Sequence, residues 1–194
     1  MPARTLIAAT LLSLLALAGC NISAHAADDL PVAAWDFHPE GEVWTEASLT
    51  MLASDAAVLT ELEPADIGAW CPGYSGASTE ERAAFWTGLL SALAEHESTW
   101  NPQAVGGGGR WFGLVQISPA TARLYGCAAR SGSALPNGPA NLRCALRIWA
   151  TTVERDGVVS AGGDGIAADW GPMVMRAKRE EMRAWISAQP YCAG

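Results

Sequence analysis

Apolar residues recur along this chain with helical spacing. Between Ser78 and Ser98 they fall at Trp86, Leu89, Leu90 and Leu93, one stripe of an amphipathic helix. Ser78 followed three residues later by Glu81 reads as a capping box at its start. Trp44–Pro64 carries Leu49, Leu52, Ala56 and Leu59 at comparable intervals and reads as a helix stopped by Pro64. "SPATARLYG" opens on Ser118 as N-cap with Pro119 at the first helical position, and closes at Gly126. Leu142, Ala145, Leu146, Trp149 and Val153 share one face of a further helix, ended by Asp156-Gly157. A last helix is predicted from Pro172 to just before Pro190. No stretch alternates in the manner of a strand. The pattern predicts a compact, mostly α domain over residues 44–194.

One position breaks the pattern. Residues 86, 90, 93 and 97 step by 4, 3 and 4, which puts Glu97 on the apolar stripe, while Glu95 and His96 point elsewhere. A carboxyl on such a face loses solvation, its pKa rises, and it can act as a general acid near neutral pH. A glutamate paired with an arginine, or a helix end that surfaces there, fits the same spacing. The next segment holds four glycines at 106–109 and then Gly113-Leu114-Val115-Gln116. Glycines allow close backbone approach, and Gln116 offers both a donor and an acceptor. Trp100 and Trp111 flank the segment; aromatic faces suit sugar rings, although tryptophan more often serves a core.

Composition narrows the classes. At 194 residues, half of them hydrophobic and 16% charged, the chain suits one folded domain and excludes wholesale disorder. A net charge of −8 argues against nucleic acid as partner, since phosphates call for a basic face. At the N-terminus, Arg4 precedes the apolar run Leu6–Ala18, which reads as an export signal rather than a membrane span. "LAGC", Leu17–Cys20, resembles the lipobox of bacterial lipoproteins. That resemblance implies a signal peptide over residues 1–19, lipidation of Cys20, and a flexible tether over 20–43. Asn21 after the cysteine implies an outer-membrane anchor facing the periplasm. The alternative is cleavage behind Ala26, leaving a soluble periplasmic protein. Either way Cys20 is removed from the count. Cys71, Cys127, Cys144 and Cys192 remain, an even set for an oxidising compartment. Four cysteines allow three pairings, and the sequence alone does not choose. The expected set is Cys127–Cys144, closing a short loop, and Cys71–Cys192, tying the domain's ends. No CxxC pair and no nearby histidine supports a metal site.

The segment "ESTWNPQAV" followed by "GLVQISPATA" resembles the Slt-type lytic transglycosylases, which have a goose-type-lysozyme-like domain. The clear likeness covers residues 91–122. A weaker likeness over 71–192 points to a cysteine-containing branch of that family. Glu97-Ser98 matches the family's glutamate-serine pair, and Gly113, Leu114 and Gln116 match its Gly-Leu-x-Gln motif. The resemblance implies a lysozyme-like fold, peptidoglycan glycan strands as partner, no cofactor and no metal. It also implies cleavage of the β-1,4 bond between MurNAc and GlcNAc with formation of 1,6-anhydroMurNAc. Glu97 would be the single catalytic residue, Ser98 would orient it or bind substrate, and Gln116 would bond a substrate N-acetyl group. The family's Ala-Tyr-Asn motif is absent; "GIAADWGP" places Trp170 either in the tyrosine's position or simply in the core. The chain is expected to be a monomer. His25, His38 and His96 look like solvated bystanders. Two rival readings stand beside this one. A hydrolase of the same fold, a lysozyme or chitinase, would need a second acid such as Asp164 or Asp169. A non-catalytic module would only bind glycan within an envelope assembly.

Overall fold

A computed structural model describes Met1 and residues 30–193. The export signal, Cys20, His25 and the cleavage site behind Ala26 lie outside the described residues.

Helix α3 (Thr79–Ser98) is the axis of the domain. The capping box forms as predicted: Glu81 N–H donates to Ser78 Oγ, and Ser78 N–H donates to Glu81 Oε2 at 2.7 Å. From Ala84 to Ala94 every residue is buried, not only the stripe, because other helices surround α3 on all sides. Around it lie α1 (Gly41–Leu52), α2 (Val58–Glu61), α4 (Pro119–Leu124), α5 (Gly138–Asp156), α6 (Gly171–Val174) and α7 (Arg176–Ser187). Helix α5 starts on Asn137 as N-cap and stops at Gly157, whose φ of 67° suits glycine. Tryptophan dominates the core: Trp35, Trp44, Trp70, Trp86 and Trp149 are all fully buried. Trp86 satisfies its indole N–H with Leu59 O at 2.8 Å and Tyr74 Oη at 2.9 Å. Helix α1 packs closely on α5; a Cβ at Gly138 would overlap the Trp44 ring.

Both expected disulfides form, Cys71–Cys192 and Cys127–Cys144, spanning 121 and 17 positions. No helix among the described residues is long and apolar enough to cross a membrane. No cluster of three His, Cys, Asp or Glu that could hold a metal occurs among them either.

Four details depart from the sequence reading. The predicted helix over 44–64 is two, α1 and α2, separated by turns at Ala53–Ala57. Ser54 Oγ donates back to Thr50 O at 2.7 Å and Asp55 pairs with Arg147 at 3.4 Å, so local polar bonding competes with helix at that point. The last predicted helix breaks at Met175, which is extended (φ −71°, ψ 110°). Arg179 takes up the carbonyls of Met173 and Val174 at 3.4 and 3.3 Å, satisfying the end of α6. A hairpin, β1 (Val105–Gly106) with β2 (Trp111–Phe112), spans the glycine loop; at two residues each, its strands are too short to alternate visibly.

The fourth departure shortens the expected tether of residues 20–43. Residues from Val32 onward lie against the domain: Ala34 N–H donates to Ser91 Oγ at 2.8 Å, Tyr191 Oη donates to Val32 O at 3.0 Å, and Trp35 donates to Thr45 Oγ1 at 2.8 Å. The prolines and glycine of this stretch read as linker, but burial of the Trp35 ring outweighs their looseness.

Candidate active site

At the C-terminal end of α3 lies an open cleft of about 480 Å³. Glu97 and His96 form its floor. Gly106, Gly107 and Trp111 of the hairpin, with Gln116, form one wall. Asp169 to Pro172, Met175 and Lys178 form the other. A larger apolar groove of about 700 Å³ sits at the opposite end of α3, around Val32, Leu52 and Ala83, and holds none of these residues.

Burial pushes the Glu97 carboxyl up to about 7, with the Lys178 ammonium pulling weakly the other way. Among the described residues no cation comes within salt-bridge distance of it, so the arginine-paired reading of the stripe does not hold. Lys178 Nζ instead lies 3.5 Å from His96 O. Thr99, Trp100 and Gln116 are the non-glycine residues with positive φ among those described, at 52°, 55° and 50°. All three flank Glu97 or the opposite wall, and such conformations persist only where the surroundings impose them.

Gln116 is fixed by its own loop. Its Nε2 donates to Gly113 O at 2.9 Å and Ala104 O at 3.2 Å. Its Oε1 rests so close to Gly106 that a Cβ there would overlap it, and a Cβ at Gly107 would overlap the Trp111 ring. The glycine loop is therefore the seat of two cleft side chains. Gly106→Ala is expected to displace Gln116 and cut turnover by about 10- to 100-fold, as a misplacement of about 1 Å does elsewhere. The check is turnover on purified sacculi, the substrate that the sequence resemblance implies, beside a thermal melt, with the melt falling by only a few degrees.

Ser98, Gly113 and Leu114 do not line the cleft; they build its wall. Ser98 Oγ donates to Leu114 O at 2.7 Å, pinning the Gly113–Gln116 loop to the end of α3. Leu114 is fully buried. Gly113 has φ 81°, and a Cβ there would come within 2.5 Å of Asn141 Nδ2 and Leu135 O. Trp170 belongs to the core and also reaches the cleft's edge. It is 4% exposed and packs edge-on to Trp149 at 6.0 Å, yet it borders the cleft, and its indole donates to Val115 O at 2.9 Å. Trp100 supports the helix end from behind, donating to Ser91 O at 2.9 Å.

Several contributors escape the sequence reading. Asn141 is buried in the first turn of α5; its Oδ1 accepts from Val115 N–H and its Nδ2 donates to Phe112 O, both at 3.0 Å. It lies four residues before Ala145 on the apolar face, the same signal that marks Glu97. Tyr125 Oη donates to Asp169 Oδ2 at 3.1 Å, holding that carboxylate at the cleft's edge. Burial and then the Asp169 charge raise the Tyr125 pKa. His96 is not solvated: its side chain is 10% exposed, with Nε2 3.8 Å from Glu181. His38 stacks on Trp44 at 4.3 Å, and Asp164 does not line the cleft.

Residues 77–153 match the family model described as Transglycosylase SLT domain. No curated protein matches the chain. Among solved structures, the wild-type form 2 of Bd0314 DslA is 25% identical with a TM-score of 0.75, over 84% of this chain and 98% of that one. Two glutamate-to-glutamine mutants of the same protein match with a TM-score of 0.76 at the same identity and coverage. The matched segment holds Glu97, the hairpin, Gln116 and Asn141, and the likeness to the solved structures shows a lysozyme-like fold.

Proposed function

We propose that this chain is a peptidoglycan lytic transglycosylase that works with one catalytic carboxyl, Glu97. The observation that carries the reading is a glutamate with a carboxyl pKa near 7, unpaired, at the floor of an open cleft walled by Trp111 and Gln116. At neutral pH such a group is poised to give a proton and then take one. Protonated Glu97 donates to the glycosidic oxygen between MurNAc and GlcNAc, and the C1–O bond breaks. The resulting carboxylate takes the proton of the muramyl C6 hydroxyl, and that oxygen closes on C1. The product is a 1,6-anhydro sugar, and Glu97 ends protonated, ready for another cycle. Lys178 helps hold the carboxylate formed midway. Gln116 Oε1 faces Gly106 at the cleft wall, where a substrate amide N–H can reach it. The domain is delivered to the periplasmic face of the outer membrane through lipidation of Cys20.

A second reading has one observation behind it. Asp169 borders the same cleft as Glu97 and is oriented by Tyr125. A hydrolase would use it to activate water. Mass spectrometry of products from digested sacculi separates the two. Ends in 1,6-anhydromuramic acid, from wild type and Asp169→Asn alike, are the expected result. Reducing muramic ends that vanish in Asp169→Asn make the enzyme a hydrolase. No products from folded, disulfide-bonded protein leave only glycan binding.

A further inference from the structure

Charge is unevenly spread along this chain. Of its 20 acidic residues none falls between Ser98 and Val153, while five of its 12 basic residues do. The fold gathers four of these five, Arg123, Arg130, Arg143 and Arg147. The Cys127–Cys144 bridge brings the chain just after α4 against α5, with the two Cα atoms 5.2 Å apart. Arg123 Nη1 donates to Arg130 O at 3.3 Å, and Arg147 Nε donates to Tyr125 O at 2.9 Å. Arg123, Arg130 and Arg143 are exposed, and the Arg147 side chain is 43% exposed. The exposed positions among them are small, Gly126, Ala128, Ser131 and Ser133, so nothing bulky holds a flat surface away. Leu124, beside Arg123, is 79% exposed, more than any other large apolar side chain of the domain.

Acids meet this belt from other parts of the chain. Asp55 pairs with Arg147 Nη1 at 3.4 Å, and Asp169 accepts from Tyr125 Oη at 3.1 Å. Among the described residues Arg123, Arg130 and Arg143 have no carboxylate within salt-bridge distance. Guanidinium groups massed without acids repel one another, and an anion relieves that repulsion. Neither the Glu97 cleft nor the apolar groove is lined by any of them. They present an open face, which suits an extended anionic surface better than a small molecule.

We propose that this face, carried by Arg123, Leu124, Arg130 and Arg143, docks on the anionic phospholipid headgroups of the membrane that anchors the chain. The setting rests on the lipidation of Cys20 proposed above; the chemistry of Glu97 plays no part in it. Leu30 follows Cys20 by ten residues, so such an anchor keeps the domain within about 35 Å of the bilayer. A negatively charged leaflet repels the acid-rich remainder of the surface, and across a Debye length of about 8 Å only the nearest side chains count. The net charge of −8 therefore does not prevent docking; it selects this face. Each arginine at such a surface favours the docked state by about 5-fold, and Leu124 adds an apolar side chain to the interface. Tyr125 gives its carbonyl to Arg147 and its hydroxyl to Asp169 at the cleft's edge, so docking also fixes which way the Glu97 cleft faces.

The full chain as exported is mixed with phosphatidylcholine vesicles, and with vesicles in which about one lipid in four is phosphatidylglycerol, and amide hydrogen exchange is compared. Exchange over residues 119–131 is expected to slow by about 5- to 10-fold on the charged vesicles alone. The slowing is expected to vanish when Arg123→Gln, Arg130→Gln and Arg143→Gln are combined, which removes about 100-fold of the docking preference, and to weaken in Leu124→Ser. All four positions are exposed, so these variants are expected to fold, and a thermal melt verifies it. Equal exchange on the two kinds of vesicle, slowing that persists in the combined variant, or slowing confined to another face overturns the proposal. So does slowing over the same residues by soluble polyphosphate with none on vesicles, which would make this a site for a free polyanion. Intact mass of the exported chain reads lipidation separately and sacculus digestion reads cleavage, so failure here is distinct from failure of either.

Discussion

Replacing Glu97 by glutamine is expected to abolish glycan cleavage while making the protein more stable at alkaline pH. Both effects come from one fact: burial holds the carboxyl pKa near 7, far above its ordinary value of 4.5. Losing a positioned acid and base costs about 100- to 10,000-fold in turnover, and the amide keeps shape and volume, so sacculus binding is expected to persist. Wild-type activity is expected to fall as pH rises through about 7, because the proposed mechanism starts from the protonated acid. The stability effect has the sign of a raised pKa. Between pH 4.5 and 7 the folded state holds a proton that the unfolded state has released, so wild-type stability declines across that window and stays level above it. Glutamine has no proton to lose. Its advantage over wild type is therefore expected to grow from pH 4 to pH 8 by about 2–3 kcal/mol at most, since each pKa unit is worth about 1.4 kcal/mol and Glu97 is partly solvated. Chemical denaturation at the two pH values reads it directly. Undiminished cleavage by the variant would remove Glu97 from the mechanism, and equal stability shifts at both pH values would mean that burial is not what sets its pKa.

What the sequence revealed about this site follows from how locally each signal is written. The capping box needs four residues, and Ser78 with Glu81 carries it completely. Glu97 declared itself because a helix repeats every 3.6 residues, and three apolar neighbours at the right spacing define the face. Asn141 carried the same signal and passed unread, because the apolar face of α5 was counted from Leu142. The far wall was harder. Met175 and Lys178 join Asp169 at the cleft where the chain breaks at Met175, with α6 and α7 both packed on α3. That break depends on Arg179 capping carbonyls already exposed, a relation between groups that periodicity does not encode. The segment before α1 misled for the opposite reason: its prolines are local, whereas the pocket that buries Trp35 is assembled from α1 and α3. Ser98 illustrates a third case. Its motif was legible, but its hydrogen bond to Leu114, which ties the Gly113–Gln116 loop to the end of α3, is a relation across 16 positions that spacing does not encode.

The two disulfides are expected to fail in opposite ways when removed one at a time. In the chain-entropy model the cost grows with the closed loop, about 5 kcal/mol for a span near 120 residues and about 3 kcal/mol for one near 17. Cys71→Ser with Cys192→Ser is thus expected to be the more destabilising pair, lowering the melting temperature by about 10–20 °C in a domain of this size. The structure adds to that cost. Cys192 O accepts from Gly73 N–H at 3.1 Å, and neighbouring Tyr191 sits against Gly88 of α3 and holds Val32 O, so freeing the C-terminus also releases the segment before α1. Neither cysteine of this bridge lines the Glu97 cleft, and below the melt this variant is expected to keep most of its turnover. Cys127–Cys144 works differently. Cys127 follows Tyr125, which orients Asp169, and Cys144 lies one helical turn after Asn141, which holds the Gly113–Gln116 loop. Its removal is expected to cost less in melting temperature yet more in turnover, because it loosens two supports of the cleft at once. Calorimetry and sacculus digestion on both double-serine variants measure the crossover. If the short bridge proves dispensable for turnover, then Asn141 and Ser98 alone hold the loop, and the bridge serves only stability.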